Sequence, residues 1–243
     1  MKNLILIAGT PSSVSSTTME ILNRHGCELN LPIPTLGEVR ANNEMPAVWE
    51  VSRRAHKTKY GLEHSEKDFA IYGKTLLFKW AKPCVYEDRL IDKGVEIIAT
   101  CGPLQALKLP LSILIWDFWE AVFSRVEELP SIVVGMLFRN PQEVAESWVR
   151  RFGGTLEAVY PILEAYSLCQ RKVIETSKVK IVPLRIERNR YATDLAALLD
   201  KVGVTFDPAK FESVFKNRST LFTDKKQDHP VFRQHDELLT MLD

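Results

Sequence analysis

The chain has 243 residues, 45% of them apolar and 26% charged, and its 32 Lys and Arg against 31 Asp and Glu leave a formal net charge of +1. Apolar content this high excludes a disordered chain, and 11 Gly and 13 Pro without a repeat exclude collagen-like or low-complexity sequence. Near-neutrality provides no long-range field for duplex nucleic acid or an anionic membrane, so an anionic ligand has to be gripped by local geometry.

The length is compatible with one domain over residues 1–243, and no linker divides the chain. Cys27, Cys84, Cys101 and Cys169 are scattered, with no C-x-x-C pair and no histidine at ligand spacing, so no metal site is expected. The opening apolar run and the later LPLSILIW are both too short to span a bilayer. The expectation is a cytoplasmic protein with no membrane span and no nucleic-acid partner.

Leu4–Ala8 is a continuous apolar run that ends in Gly9-Thr10-Pro11, the pattern of a central parallel strand followed by a turn. Met19, Ile21 and Leu22 then predict a helix over Thr17–Arg24, ended by Gly26. Residues 30–90 are polar and irregular and predict short helices and loops over the sheet edge. Val95–Ala99 and Leu104–Leu107 are each short enough to be strands, and their periodicity does not decide which joins the sheet. Leu111–Val126 reads as a helix from the spacing of Leu114, Ile115, Phe118, Val122 and Val126.

Ile132–Phe138 reads as a buried strand. Asn140 as N-cap, Pro141 at the first helical position and Glu143 in the first turn then specify a helix start, with Val144, Ala145, Trp148, Val149 and Phe152 as the apolar stripe. Lys180–Ile186 predicts a strand, Asp194–Val202 a helix, and Asp207-Pro208 the start of a helix through Phe215, while His229 and His235 fall in a polar tail. Strands alternating with helices predict an α/β fold with three α/β/α layers and a mainly parallel central sheet.

Gly9, Thr10, Pro11, Ser12, Ser13, Val14, Ser15, Ser16 and Thr17 form a hydroxyl-rich turn between a buried strand and a helix N-terminus, which aims N–H groups and a helix dipole at one point. This is an anion cradle, although no Lys follows it as a Walker A loop requires. Arg139 stands directly after a strand, where a guanidinium can grip a phosphate with two hydrogen bonds. Ser147 lies within the following helix, where its hydroxyl either reaches the same ligand or bonds its own backbone.

Together LILIAGTPSSVSSTT, LKLPLSILIWDFW and IVVGMLFRNPQEVAESWVRRF resemble the nucleotide-dependent sulfotransferase family. Its usual fragments are a G-x-P-R-S-G-T-[ST] loop, a K-[DLx]-P-[RL] segment and an R-[DNH]-P-x-[DE]-x-x-x-S element. Arg139-Asn140-Pro141-Gln142-Glu143-Val144-Ala145-Glu146-Ser147 is similar to the last of these nearly residue for residue. LRIERNRYATDLAALLDKVGVTFD resembles the closing strand and helices, and Met45-Pro46-Ala47-Val48-Trp49-Glu50 resembles a G-[FYW]-W-E segment.

The resemblance implies a P-loop nucleotide-binding fold and transfer of a sulfuryl group from 3′-phosphoadenylyl sulfate to a hydroxyl or amine of a small-molecule or glycan acceptor. It implies that residues 9–17 hold the 5′-phosphosulfate, that Arg139 and Ser147 hold the 3′-phosphate, and that residues 30–90 shape the acceptor pocket or lid. Lys108 is the lysine of the family-like segment and is expected to place positive charge near the sulfuryl group. Glu50 and His56 are the candidate bases for the acceptor, with His25 and His64 as further candidates.

This chain departs from the family loop at Ser12, where a basic residue is usual, and at Val14, where glycine is usual. The loop is therefore expected either to be rebuilt around Ser15 or to bind more weakly. Two other readings accompany this one: a P-loop small-molecule kinase, and a sulfotransferase-like module that binds nucleotide without catalysis.

Overall fold

The computed structural model describes residues 2–11, 14–31, 39, 43–63, 68–109, 111–187, 189–216 and 229–242. Its elements in chain order are β1 (Asn3–Gly9), α1 (Ser15–Arg24), α2 (Pro46–Tyr60), α3 (Phe69–Lys79), α4 (Asp88–Ala99), β2 (Leu104–Lys108) and α5 (Trp116–Phe123). They continue with β3 (Ser131–Phe138), α6 (Pro141–Phe152), α7 (Leu156–Thr176), β4 (Lys180–Arg185), α8 (Tyr191–Asp200), α9 (Pro208–Phe215) and α10 (Pro230–Leu242).

The four strands form one sheet in the order β2-β1-β3-β4, and every pairing is parallel. Strands buried on both faces must be apolar at consecutive positions, which is why β1 and β3 are continuous apolar runs. Leu4, Leu6 and Ala8 of β1 and Val134, Met136 and Phe138 of β3 enter one core with α2–α7 and α10. Ile5 and Ile7 of β1 and Val133 and Leu137 of β3 enter the other, with α1, α8 and α9. The result is a three-layer α/β/α domain. At the centre of β3, Gly135 leaves room for Ile7, Leu184 and Leu198, because a Cβ there would stand 2.8 Å from Ile7 Cδ1. Strand β2 is at the edge, and its outer side is covered by residue 28: Glu28 N donates to Leu104 O and Ala106 N to Glu28 O.

Several expectations are corrected. Val95–Ala99 is the end of helix α4, whose buried residues Leu90, Ile91, Gly94, Ile97 and Ile98 fall at helical spacing. The apolar run imitates a strand only when cut from the residues before it. Within 111–126 only Trp116–Phe123 is helical, since residues 111–115 form tight turns in which Ser112 N donates to Leu109 O and Leu114 N to Leu111 O. Residues 46–60 and 69–79 are two full helices rather than short pieces.

The longest helix, α7, is absent from the sequence reading. Pro161 lies inside it, and Gly73 of α3 meets that proline closely, so α3 packs against α7 where a side chain would collide. The presumed polar tail contains α10, which buries Val231, Phe232 and Leu238 against α7. Among the described residues no helix is long and apolar enough to cross a membrane.

Candidate functional site

From β1 the chain enters α1 on one face of the sheet; from β3 it enters α6 on the other. Because β1 and β3 are neighbours, these helices diverge above the carboxyl ends of the two strands, where an open α/β sheet forms its binding crevice. An open cleft lies there, lined among others by Thr10, Phe138, Arg139, Ser167, Gln170 and His235. Thr10 and Arg139 therefore face one space. Ser167 and Gln170 come from α7 and His235 from α10, two elements that the sequence pattern did not reveal as helices.

In the loop, Val14 adopts a left-handed conformation, φ 68° and ψ 14°, immediately before Ser15 opens α1. The loop is thus not rebuilt around Ser15: Val14 itself takes the conformation that glycine would take, five residues after Gly9. For a β-branched residue this stores strain. The residue stands at the positive end of α1, directly before its first turn. Val14 O accepts from Thr18 N at 3.0 Å and from Thr18 Oγ1 at 3.1 Å. Thr17 is fully buried in the first turn, and its Oγ1 has no partner among the described residues. Gly9, Thr10, Pro11, Val14, Ser15, Ser16 and Thr17 are described; Ser12 and Ser13 lie outside the described residues, as does His64.

A cation from another strand reaches the first turn of α1. Ala106 faces the α1 side of the sheet, and Lys108, two residues on, shares that face at the carboxyl end of β2. Lys108 Nζ donates to Ser16 Oγ at 3.1 Å and lies 3.0 Å from Glu44 Oε1. Both charged side chains are nearly buried, at 7% and 12% exposure. Burial pushes the Lys108 ammonium below the usual lysine range against the opposing pull of Glu44, and the positive charge of Arg151 pushes it the same way as burial. The end of α6 therefore brings Arg151 within electrostatic reach of Lys108. Asn43 ties the Glu44 segment to the same turn, donating from Nδ2 to Ser16 O at 2.8 Å.

At the start of α6 the Asn140 side chain accepts from Gln142 N at 2.9 Å, the cap that the sequence specifies. Arg139 Nε donates to Glu143 Oε2 at 2.7 Å, and both side chains are nearly buried. The guanidinium thus reaches the cavity already engaged by a carboxylate. Ser147 is half-buried one turn beyond Glu143 on the same side of α6, and Glu143 is the residue that Arg139 meets just ahead of the helix.

Glu50 and His56 are not brought to this point. Glu50 accepts from Arg53 Nε at 3.2 Å and Arg54 Nε at 2.7 Å on the surface of α2, and these bonds, Arg53 first, hold its carboxyl below the usual range. His56 has no exposed surface; its Nε2 is 3.0 Å from the Tyr72 hydroxyl and its ring packs on Tyr60. It stands ten residues into α2, about 15 Å along the axis from Pro46. His25 is a structural link, bonding Ile21 O through Nδ1 and accepting from Asp207 N at Nε2. The carboxylate that does reach the loop is Glu44. Its only sequence signal is an acid just ahead of helix-opening Pro46, with no periodic element to fix its direction.

No protein-family model matches this chain, and no curated protein matches it.

Proposed function

We propose that this protein is a sulfotransferase that moves a sulfuryl group from 3′-phosphoadenylyl sulfate to a hydroxyl or amine of a small-molecule or glycan acceptor. The observation that carries the reading is Lys108: a buried ammonium on the strand beside the loop, bonded to Ser16 where a phosphate-binding loop would carry its own cation. The residues fit an anionic nucleotide. Thr17 Oγ1 is a buried hydroxyl at the loop with no partner among the described residues, Val14 holds a left-handed turn directly before α1, and Thr10 and Arg139 line one crevice.

The nucleotide supplies an activated sulfuryl group on a mixed anhydride. In sulfuryl transfer, as in phosphoryl transfer, negative charge gathers on the leaving and peripheral oxygens, so fixed donors and cations carry most of the catalysis. Lys108 and the N–H groups at the start of α1 stabilise that charge. Glu44 Oε1, 3.0 Å from Lys108 Nζ, is the base that takes the acceptor proton, in place of Glu50 and His56. Arg139 binds the second phosphate, with Glu143 holding its guanidinium in position.

Calorimetric titration with adenosine 3′,5′-bisphosphate tests the reading, followed by sulfuryl transfer from labelled 3′-phosphoadenylyl sulfate to a panel of phenols, amines and sugars. Tight binding and turnover are expected. Binding of Mg-ATP alone would replace the reading with a kinase, and nucleotide binding without turnover across the panel would replace it with a binding module.

A further inference from the structure

Among the described residues, half of the large apolar side chains that stand exposed fall on or just after α3: Ile71 at 53%, Phe78 at 70% and Val85 at 93%. Tyr72, Gly73 and Leu76 form the buried side of this helix, with Gly73 against Pro161 of α7. Ile71, Lys74 and Phe78 follow one another at steps of three and four residues on the opposite side, so they make one outward ridge. Lys82 extends it: its Nζ lies 3.4 Å from the centre of the Phe78 ring.

The charges on this ridge have one sign. Between Asp68 and Glu87 the chain carries Lys74, Lys79 and Lys82 and no acid. Lys79 turns inward and donates to Tyr60 O at 2.8 Å, whereas Lys74 and Lys82 are exposed and have no carboxylate partner among the described residues. The acids nearest in sequence are engaged elsewhere. Asp68 accepts from Ala70 N and Ile71 N as the cap of α3, and Glu63, just beyond α2, accepts from Arg53 and Lys57.

A second copy of this chain is a poor occupant, because a two-fold contact on the ridge would set the lysines of one copy against those of the other. A different protein is also disfavoured. From Ile71 to Phe78 the ridge is about 10 Å long, which offers far less than the roughly 800 Å2 per partner that a stable protein interface buries. A lipid surface requires no groove and no matching shape: it accepts separate apolar tips at the acyl boundary and keeps lysines at the headgroups, their stems along the apolar layer. The net charge of +1 gives no long-range pull, so the attraction acts at contact, within a Debye length.

We propose that the outer face of α3 is a peripheral membrane-binding site, which seats Ile71 and Phe78 at the acyl boundary of an anionic bilayer while Lys74 and Lys82 meet its anionic headgroups.

Cosedimentation of the full-length protein with vesicles tests this. Vesicles of phosphatidylcholine with about 30% phosphatidylserine should carry the protein down, and phosphatidylcholine alone should leave it in the supernatant. Salt at about 0.5 M should weaken the binding. Phe78→Ser is expected to weaken it about tenfold, and Lys74→Glu about fivefold or more. Lys210→Glu, the same charge reversal at an exposed residue of α9 on the other face of the sheet, should leave it near the native value. All three substitutions are at exposed side chains, so the fold is not at stake. Absence of binding to either vesicle, equal binding to both, undiminished binding of Phe78→Ser, or equal losses for Lys74→Glu and Lys210→Glu would each overturn the proposal. A dimer in solution that Phe78→Ser abolishes, with no vesicle binding, would assign the ridge to a second copy instead. None of these readouts depends on sulfuryl transfer.

Discussion

Arg139 and Glu143 hold each other at 2.7 Å across the first turn of α6, and neither side chain is more than 9% exposed. Removing one partner of a buried pair leaves the other charge without compensation, a loss on the order of 3–5 kcal/mol. Arg139→Ala is therefore expected to destabilise the fold, so an affinity measured on it alone mixes two effects. Urea denaturation should show Arg139→Ala well below the native protein and Arg139→Ala with Glu143→Gln recovering most of the difference. Equal stability of the single and double variants would mean that the pair carries no such coupling.

Lys108 should make anion binding depend on pH in a recognisable direction. Its ammonium is charged below its lowered pKa and neutral above it, so affinity for adenosine 3′,5′-bisphosphate is expected to fall on the alkaline side before an ordinary lysine would titrate. Lys108→Met should weaken the nucleotide by about tenfold to a hundredfold and abolish that alkaline decline. The contribution of this residue to stability runs the other way: it is greatest above the ordinary lysine pKa and falls as pH drops through the lowered value, because the folded state then has to accept a buried charge. Calorimetry and denaturation across pH 7 to 10 (about the usable range below the lysine pKa) separate the two.

Val14→Gly should raise stability by about 0.5–1 kcal/mol. Relief of a left-handed conformation in an L-residue returns roughly 1–2 kcal/mol, and the added backbone freedom of glycine in the unfolded chain removes part of it. Thermal denaturation measures the gain, and a lower melting temperature would show that the valine side chain, packed at the edge of the α1 core, contributes more than its backbone loses.

Thiol labelling should separate the cysteines. Cys27, Cys101 and Cys169 are buried and pushed up to about 12 by burial, while Cys84 is half-exposed and raised less. One equivalent of a disulfide reagent should react with the native protein near pH 8, at Cys84, and Cys84→Ser should abolish it. Rapid labelling of a second thiol would contradict the burial.

The parts of the fold legible in the sequence were those whose cause is local. Continuous apolar runs defined β1 and β3, and Asn140-Pro141 specified the start of α6 within one residue. Arg139 was singled out because it follows a strand, and Lys108 because it sits in the LKLPL segment that resembles the sulfotransferase family. Long-range packing was not readable. Pro161 inside α7 disguises a helix held by α3, α6 and α10, and the polar face of α10 hides the three residues it buries. His56 was a candidate because residues 30–90 were expected to shape the acceptor pocket, yet α2 turns it toward Tyr72 and Tyr60. Glu44 gains its place only from the fold.

On the proposed function, mounting the cation on β2 ties ligand recognition to the sheet's margin. In a strand a slip of one residue reverses which side every side chain faces, so misregistry of β2 against β1 would swing Lys108 away from α1 while leaving the loop itself untouched. The residue 28 backbone that covers the outer side of β2 thus guards a charge as well as an edge, and loosening that remote clasp would dull the grip on an anion without altering any group that touches it.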